Sequence, residues 1–185
     1  MRTFLTFIGT IIALIIAFLI YIYSGFYNIG ANVPHNSITR WIISKTVDNS
    51  VKYHAELINA QNIQDTSLIN LGFTEYTHSC IGCHGAPGVK KPQKYPHMYP
   101  NPPELVKAAV DWKPSELFWI TKNGIKMSGM PEFGSVKSNR QIWGIVAFVK
   151  KMTTMTPEQF NAFKAEQEKS SKRNNKKRHL RYHSK

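Results

Sequence analysis

Cysteine is scarce in this chain of 185 residues, which contains only Cys80 and Cys83. Because both lie in one short stretch, the chain has no disulfide framework of the kind that stabilises small secreted domains. Acidic residues are also few, with 11 Asp and Glu against 24 Lys and Arg and a formal charge of +13. Residues 169–185 hold eight basic side chains and no acidic one, so most of the excess charge belongs to a C-terminal tail.

Charge is absent from Phe4 to Tyr23, a run of 20 residues. At about 1.5 Å per residue, such a helix spans a bilayer core of roughly 30 Å. Four aromatic residues, which are typical of a membrane–water interface, lie at and after its end: Tyr21, Tyr23, Phe26 and Tyr27. Residues 4–23 are therefore predicted to form a single-pass transmembrane helix within an N-terminal anchor over residues 1–30.

A cleaved signal peptide is the alternative for this segment. It requires a shorter apolar core and small residues at a cleavage site. The nearest candidate site, Ile29-Gly30-Ala31, has a bulky residue where a small one is needed. We therefore expect an anchor that is not cleaved.

A connecting segment is predicted over residues 31–64, because residues 37–58 have the pattern of an amphipathic helix. Ser37 is a candidate N-cap, and Ile38, Trp41, Ile42 and Lys45 follow the spacing of one helical face. The pattern is compatible with a helix that packs on a following domain and with one at the membrane surface.

The stretch Cys80-Ile81-Gly82-Cys83-His84 is the c-type haem attachment signature. Two thiols one helical turn apart suit the two vinyl groups of one porphyrin, to which they bind as thioethers. His84 follows the second thiol directly and can place an imidazole nitrogen on the iron. The sequence therefore predicts one covalently attached haem c with its iron.

The cysteine pair has three other possible interpretations. A thioredoxin-type redox pair requires a βαβ setting, which the sequence does not contain. A zinc site would have to use His78 and His84 as further ligands, and four ligands within seven residues make a very tight cage. A disulfide is sterically poor at this spacing and gives His84 no role.

Helical patterns flank the motif. Asp65 or Thr66 can cap a helix that runs to about Ser79, and Gly72 on its face allows a second helix to cross closely. The expected partner is a helix near Ser138–Met152. A helix from Ser115 to about Asn123, with Gly124 as C-cap, and a short helix after Pro157 complete the prediction.

Four motifs make the chain resemble class I cytochromes c, and more narrowly the membrane-anchored monohaem cytochromes of Gram-negative bacteria. They are the Gly-x-x-x-Tyr-x-x-x-Cys-x-x-Cys-His-Gly pattern from Gly72, the run Cys83–Gly88, the Asn-Pro-Pro-x-Leu segment Asn101–Leu105, and the block Leu117–Pro131 that ends in Gly-Met-Pro. The likeness covers about residues 37–165. It implies an all-α fold in which N- and C-terminal helices cross around one haem, and it predicts a haem domain over residues 65–168.

The resemblance also indicates the second axial ligand. The ligand methionine of the family precedes a proline, which here is Met130 before Pro131. Met127 is the alternative, because the same loop would bring it near the haem. His97 and Met98, in the proline-rich loop Lys90–Pro103, were considered as remote candidates.

The family also implies a location, since c-type haem is attached on the outer side of the bacterial inner membrane. The haem domain is therefore expected in the periplasm. Lysines near the haem edge, namely Lys90, Lys91, Lys94 and Lys126, could steer docking onto an acidic redox partner. The tail over residues 169–185 is predicted to be disordered and able to bind anionic lipid or an acidic protein, and no nucleic acid partner is expected.

One-electron transfer by a membrane-tethered carrier is the predicted function, and the chain is not expected to be an enzyme. A filled His84/Met130 coordination sphere leaves no open iron site for a substrate. One alternative is a redox subunit of a larger membrane dehydrogenase or oxidase. Another is a haem-based ligand sensor, which the carrier prediction outweighs because the chain has no recognisable output domain.

Overall fold

Helices account for the regular secondary structure of the described part of the chain, residues 1–90 and 98–182 of a computed structural model. No β-strand occurs in these two ranges, and an isolated bridge joins Ala86 and Val89. The all-α fold predicted from the sequence is therefore confirmed. The helices are α1 Arg2–Tyr23, α2 Ser37–Ala55, α3 Thr66–Ser79, α4 Ile81–His84, α5 Leu105–Ala108, α6 Pro114–Asn123, α7 Asn139–Met152 and α8 Pro157–Tyr182.

The chain divides into two compact units. The first is Met1–His35 and contains α1, a helix of 22 residues with a mean hydropathy of 2.7 in its most apolar window. Among the described residues it is the one helix long and apolar enough to cross a membrane. Its bounds agree with the span predicted from the uncharged run, and the unit ends five residues after the anchor boundary predicted at residue 30.

The second unit begins at Asn36 and contains α2 to α8. Its first helix is capped by Asn36, whose side-chain oxygen accepts a hydrogen bond of 2.8 Å from the backbone N–H of Thr39. The N-cap is thus Asn36 and not Ser37, and the helix ends at Ala55 rather than near residue 58. Val51 and Ala55 are buried, so the second half of α2 packs within this unit.

Helices α3 and α7 cross at two glycines. A Cβ at Gly72 would overlap the backbone carbonyl of Gly144, and a Cβ at Gly144 would lie 3.1 Å from the amide nitrogen of Gly72. Because neither residue has a side chain, the two backbones approach each other directly. The crossing that was predicted from Gly72 and the helix near Ser138–Met152 is confirmed, and its second glycine is a new finding.

Aromatic rings fill the space around this crossing. The ring of Phe148 on α7 lies 5.4 Å from those of Phe73 and Tyr76 on α3. Phe160 of α8 is buried, and the ring of Phe163 lies 6.0 Å from that of Phe148. Burial of such side chains supplies most of the driving force for folding, so the start of α8 is part of the core.

An ion pair and a lysine also tie the elements together. Lys137 donates to a carboxylate oxygen of Glu75 at 2.5 Å, and Gln141 donates to the other oxygen at 2.8 Å. Lys150 of α7 donates to the carbonyl oxygens of Ala109, Val110 and Trp112, each at 3.1 Å. Its ammonium group therefore joins the end of α5 to the turn before α6.

Helix α8 differs from its prediction. A short helix and a disordered tail from residue 169 were expected, whereas the structure continues the helix to Tyr182. Residues 158–182 contain no Gly or Pro and are rich in Glu, Gln, Lys and Arg, all good helix formers. The composition that prevents a core over residues 169–182 therefore does not prevent a helix.

Candidate functional site

The two cysteines lie at a junction between helices. Cys80 ends α3, where its N–H donates to the carbonyl of Tyr76, and it begins α4, where its own carbonyl accepts from Cys83 and His84 at 3.0 Å. Gly85 ends α4 with a φ of 68°, which favours glycine. One helical turn thus carries both thiols and the imidazole, and the two sulfurs are not bonded to each other.

The side chain of Tyr76, on α3, holds the end of this turn in place. Its hydroxyl donates a hydrogen bond of 2.6 Å to the carbonyl oxygen of Gly85, and its ring is fully buried. Burial, followed by the nearby Cys80, raises the pKa of Tyr76 well above its usual value. The hydroxyl therefore remains a donor at any physiological pH and holds the end of α4 against α3.

Cys80 is buried, whereas Cys83 is half-buried. Burial raises the pKa of the Cys80 thiol to about 12; Lys137 opposes this effect, and Cys83 and Glu75 add to it. Before a thioether forms, Cys80 is thus a neutral thiol at pH 7. The two sulfurs differ in environment although they share a motif.

The ring of His84 is oriented by a proline carbonyl. Its Nδ1 lies 2.8 Å from the carbonyl oxygen of Pro103. Since a carbonyl oxygen only accepts, Nδ1 carries the hydrogen, and the lone pair of the neutral ring is on Nε2. Metal-ligating histidines in proteins are generally held in this way through their other nitrogen. Pro103 belongs to the Asn101–Leu105 segment, which the sequence singled out without assigning this contact.

The loop after α6 holds Met130 through backbone and hydroxyl contacts. Gly124 ends the helix with a φ of 68°, as predicted, and the N–H of Ile125 donates to the carbonyl of Met130 at 3.2 Å. The hydroxyl of Ser128 donates to the Ile125 carbonyl at 2.7 Å and accepts from the Met130 N–H at 3.1 Å. The half-buried Met130 thus sits at the closed end of a small loop.

Met127 occupies the outer tip of the same loop. Its side chain is 98% exposed, and its backbone has a φ of 56°, unusual for a residue with a side chain. The two candidate methionines therefore differ in exposure, since Met130 is half-buried.

Met98, which the sequence offers only as a remote candidate ligand, is a neighbour of this loop. Its side chain lies against Gly129, where a Cβ would come within 3.0 Å of the methyl carbon of Met98 and closer still to its sulfur. The residue in the sequence that indicates such a close contact is Gly129, because the absence of a side chain there leaves room for a neighbour. Of the other residues named for this region, Lys91, Lys94 and His97 lie outside the described residues.

The surroundings of the cysteines do not resemble a zinc cage. His78 is exposed, whereas His84 is half-buried against Pro103. Over residues 1–90 and 98–182, no group of three or more His, Cys, Asp or Glu side chains is placed to hold a metal ion. Two unbonded thiols one turn apart and an imidazole with its lone pair on Nε2 instead fit a haem bound through thioethers.

Residues 68–149 match the family model described as cytochrome C oxidase, cbb3-type, subunit III. The match includes most of α3, the cysteine turn, the Met130 loop and most of α7. No curated protein and no solved structure matches the chain.

Proposed function

We propose that this chain is a single-electron carrier tethered to the bacterial inner membrane. Residues 68–149 form a c-type cytochrome domain, and such a domain carries covalently bound haem c and transfers electrons. In this proposal α1 is the tether and the haem domain faces the periplasm. The chain binds one haem, has no catalytic activity of its own and exchanges electrons with redox proteins.

The cysteine turn is the observation that carries the proposal. Cys80 and Cys83 are the proposed thioether residues, and His84 is the proposed proximal ligand through Nε2, because Nδ1 is held by Pro103. Met130 is the proposed distal ligand, since its loop is closed by Ser128 and its side chain is half-buried. The bound haem would supply the ferric/ferrous couple, and a His/Met ligand pair raises its potential.

Partner binding would use charge as well as proximity. Lys90 and Lys126 are exposed, and both lie in segments next to the proposed ligands. They are suited to an acidic face of a redox protein. The basic residues of 169–185 are suited to anionic lipid or another acidic protein, and nothing in the sequence favours nucleic acid.

The test is the absorption spectrum of the full-length protein in detergent, oxidised and reduced, with and without carbon monoxide. A covalent haem that is low-spin in both states and indifferent to carbon monoxide is the expected result. Ready carbon monoxide binding would instead support the sensor function, and a chain without covalent haem would contradict the proposal altogether.

The assignment of Met130 as the distal ligand is tested by two matched variants, one at Met130 and one at Met127. Met130→Ala should open the sixth site, lower the reduction potential and allow carbon monoxide to bind. Met127→Ala removes the same thioether three residues away and should leave the spectrum nearly unchanged, because that side chain is exposed. The opposite pattern would make Met127 the ligand.

A second candidate function follows from the matched family, whose description names a subunit of an oxidase. This chain would then be a fixed redox subunit and not a free carrier. Purification in mild detergent distinguishes the two, since a subunit would bring a stoichiometric membrane partner with it. A chain that purifies alone and still exchanges electrons with added redox proteins would support the carrier.

A further inference from the structure

The first half of α2 carries an apolar surface that the rest of the domain does not cover. No residue of α2 before Val51 is buried. Ile38, Trp41 and Ile42 are 70%, 63% and 50% exposed and lie at i, i+3 and i+4, so they form one patch on the helix. We refer to these three residues as the α2 patch. Exposure of several large apolar side chains together marks an interaction surface.

The packing of α2 explains why this patch remains outside. The helix contacts α6 through its second half, where Val51 and Ala55 are buried and His54 stacks on Trp119 at 5.4 Å. The first half extends beyond these contacts. Its apolar residues therefore need an occupant that the described part of this unit does not supply.

The charges around the patch are suited to a lipid surface. No Asp or Glu precedes Asp48 in the chain, whereas Lys45 continues the face of the patch about one turn after Ile42, and Arg40 lies on the opposite side of the same helix. Long basic side chains can extend from an apolar surface to headgroup phosphates. Trp41 combines a large apolar ring with an N–H donor, which suits the boundary between acyl chains and water.

The covalent connection keeps a bilayer within reach. Thirteen residues separate Tyr23, the last residue of α1, from Ser37, the first of α2. Even fully extended, these residues span no more than about 50 Å. A surface helix close to a membrane-spanning helix thus meets lipid at a high effective concentration.

We propose that the first half of α2, residues 37–46, is an interfacial helix that lies in the headgroup layer of the bilayer spanned by α1. The α2 patch inserts below the phosphates, and Lys45 extends to them from the same face. This inference rests on the proposed anchor and goes beyond it, since it adds a second membrane contact made by the haem-bearing unit itself.

The test uses the full-length haem protein in lipid nanodiscs of phosphatidylethanolamine and phosphatidylglycerol. With Cys80 and Cys83 in thioether bonds, an introduced cysteine is the single free thiol and can carry a nitroxide label. Ile42→Cys reports on the α2 patch, and Val136→Cys, which replaces an apolar residue that is 75% exposed outside α2, is the matched control. Collision of the label with oxygen and with a water-soluble nickel chelate is then measured by electron paramagnetic resonance.

The expected result is an oxygen-to-nickel accessibility ratio severalfold higher at position 42 than at position 136. Equal, water-like accessibility at both positions would overturn the inference. Dipolar coupling between labels at position 42 would also overturn it, because the patch would then be covered by a second copy of the chain.

A third label separates this inference from the function on which it rests. Ile15→Cys lies in the middle of α1 and should be accessible to oxygen and protected from nickel. If it is, and the haem spectrum is normal, a water-like label at position 42 contradicts only the interfacial helix. A nickel-accessible label at position 15 would contradict the anchor itself.

Discussion

At the scale of single residues, the candidate site depends on small contacts whose partners are far away in the sequence. The ring of His84 is oriented by the carbonyl of Pro103, and the backbone at Gly129 leaves room for Met98. Tyr76 closes the cysteine turn by donating to Gly85. Pro103 orients a proposed ligand directly, whereas the other two contacts involve glycines next to the proposed ligands, Gly85 after His84 and Gly129 before Met130.

Gly72 gives the sharpest prediction at this scale. Gly72→Ala should destabilise the fold by about 3 kcal/mol, because its Cβ meets the backbone of Gly144, which cannot move without separating α3 from α7. Gly129→Ala should cost less, below about 1.5 kcal/mol, since the obstacle is the flexible end of Met98. Urea unfolding followed by circular dichroism measures both.

The double variant Gly129→Ala/Met98→Ala is the control, because it removes the obstacle as well. It should be more stable than the sum of the single changes predicts. Strictly additive effects would mean that Met98 and Gly129 do not meet in the folded protein.

At the scale of elements, a nearly enclosed ion pair joins α3 to the segment just before α7. The side chains of Lys137 and Glu75 are only 12% and 15% exposed. The side-chain amide of Gln141 donates a hydrogen bond to the other carboxylate oxygen of Glu75. Burial acts to raise the pKa of Glu75, but the hydrogen bonds from Lys137 and Gln141 and the charge of Lys137 outweigh it and lower the pKa below its usual value.

The pH dependence of stability follows from this shift. A carboxyl group whose folded-state pKa is lowered contributes stability above its unfolded pKa, here 4.5, and that contribution is lost as the pH falls through the folded value. Glu75→Gln should therefore weaken the loss of stability below about pH 4.5, as measured by urea unfolding at several pH values. Glu168→Gln, at an exposed position of α8, should retain the wild-type slope, and an equal effect of both changes would contradict the assignment.

At the scale of the whole molecule, the formal charge of +13 is distributed unevenly. The N-terminal 47 residues contain no acid, the C-terminal helix is strongly basic, and Lys90 and Lys126 are exposed in the segments that follow His84 and precede Met130 in the chain. Such a distribution attracts anionic partners over about 10 Å at moderate salt.

Oxidation of the reduced protein by ferricyanide, a small polyanion, tests this field. The rate constant should fall as ionic strength rises, because salt screens the attraction. Lys126→Gln should lower the rate on the order of twofold at low salt and flatten the salt dependence, whereas Lys164→Gln on α8 should change either quantity less. A rate that is indifferent to salt would remove the docking role of Lys126.

The sequence predicted those features that depend on local patterns. The cap of α3 at Asp65, the end of α6 at Gly124 and the crossing at Gly72 were all readable from residue types and spacing. The contact of His84 with Pro103 was not, because it joins backbone and side chain across 19 residues. The length of α8 does not follow from hydrophobicity, because low hydrophobicity rules out a core but does not rule out a helix.

Lys150 has a consequence for the chemistry of this protein in the laboratory. Its ammonium hydrogens are shared among three carbonyl oxygens, so the nitrogen is shielded from electrophiles in the folded chain. Amine-reactive cross-linkers used to find a redox partner would modify the exposed lysines and leave Lys150 intact. Acylation at that position would instead report that the turn before α6 had come away from α7, which makes this lysine an internal indicator of whether a cross-linked sample was still native.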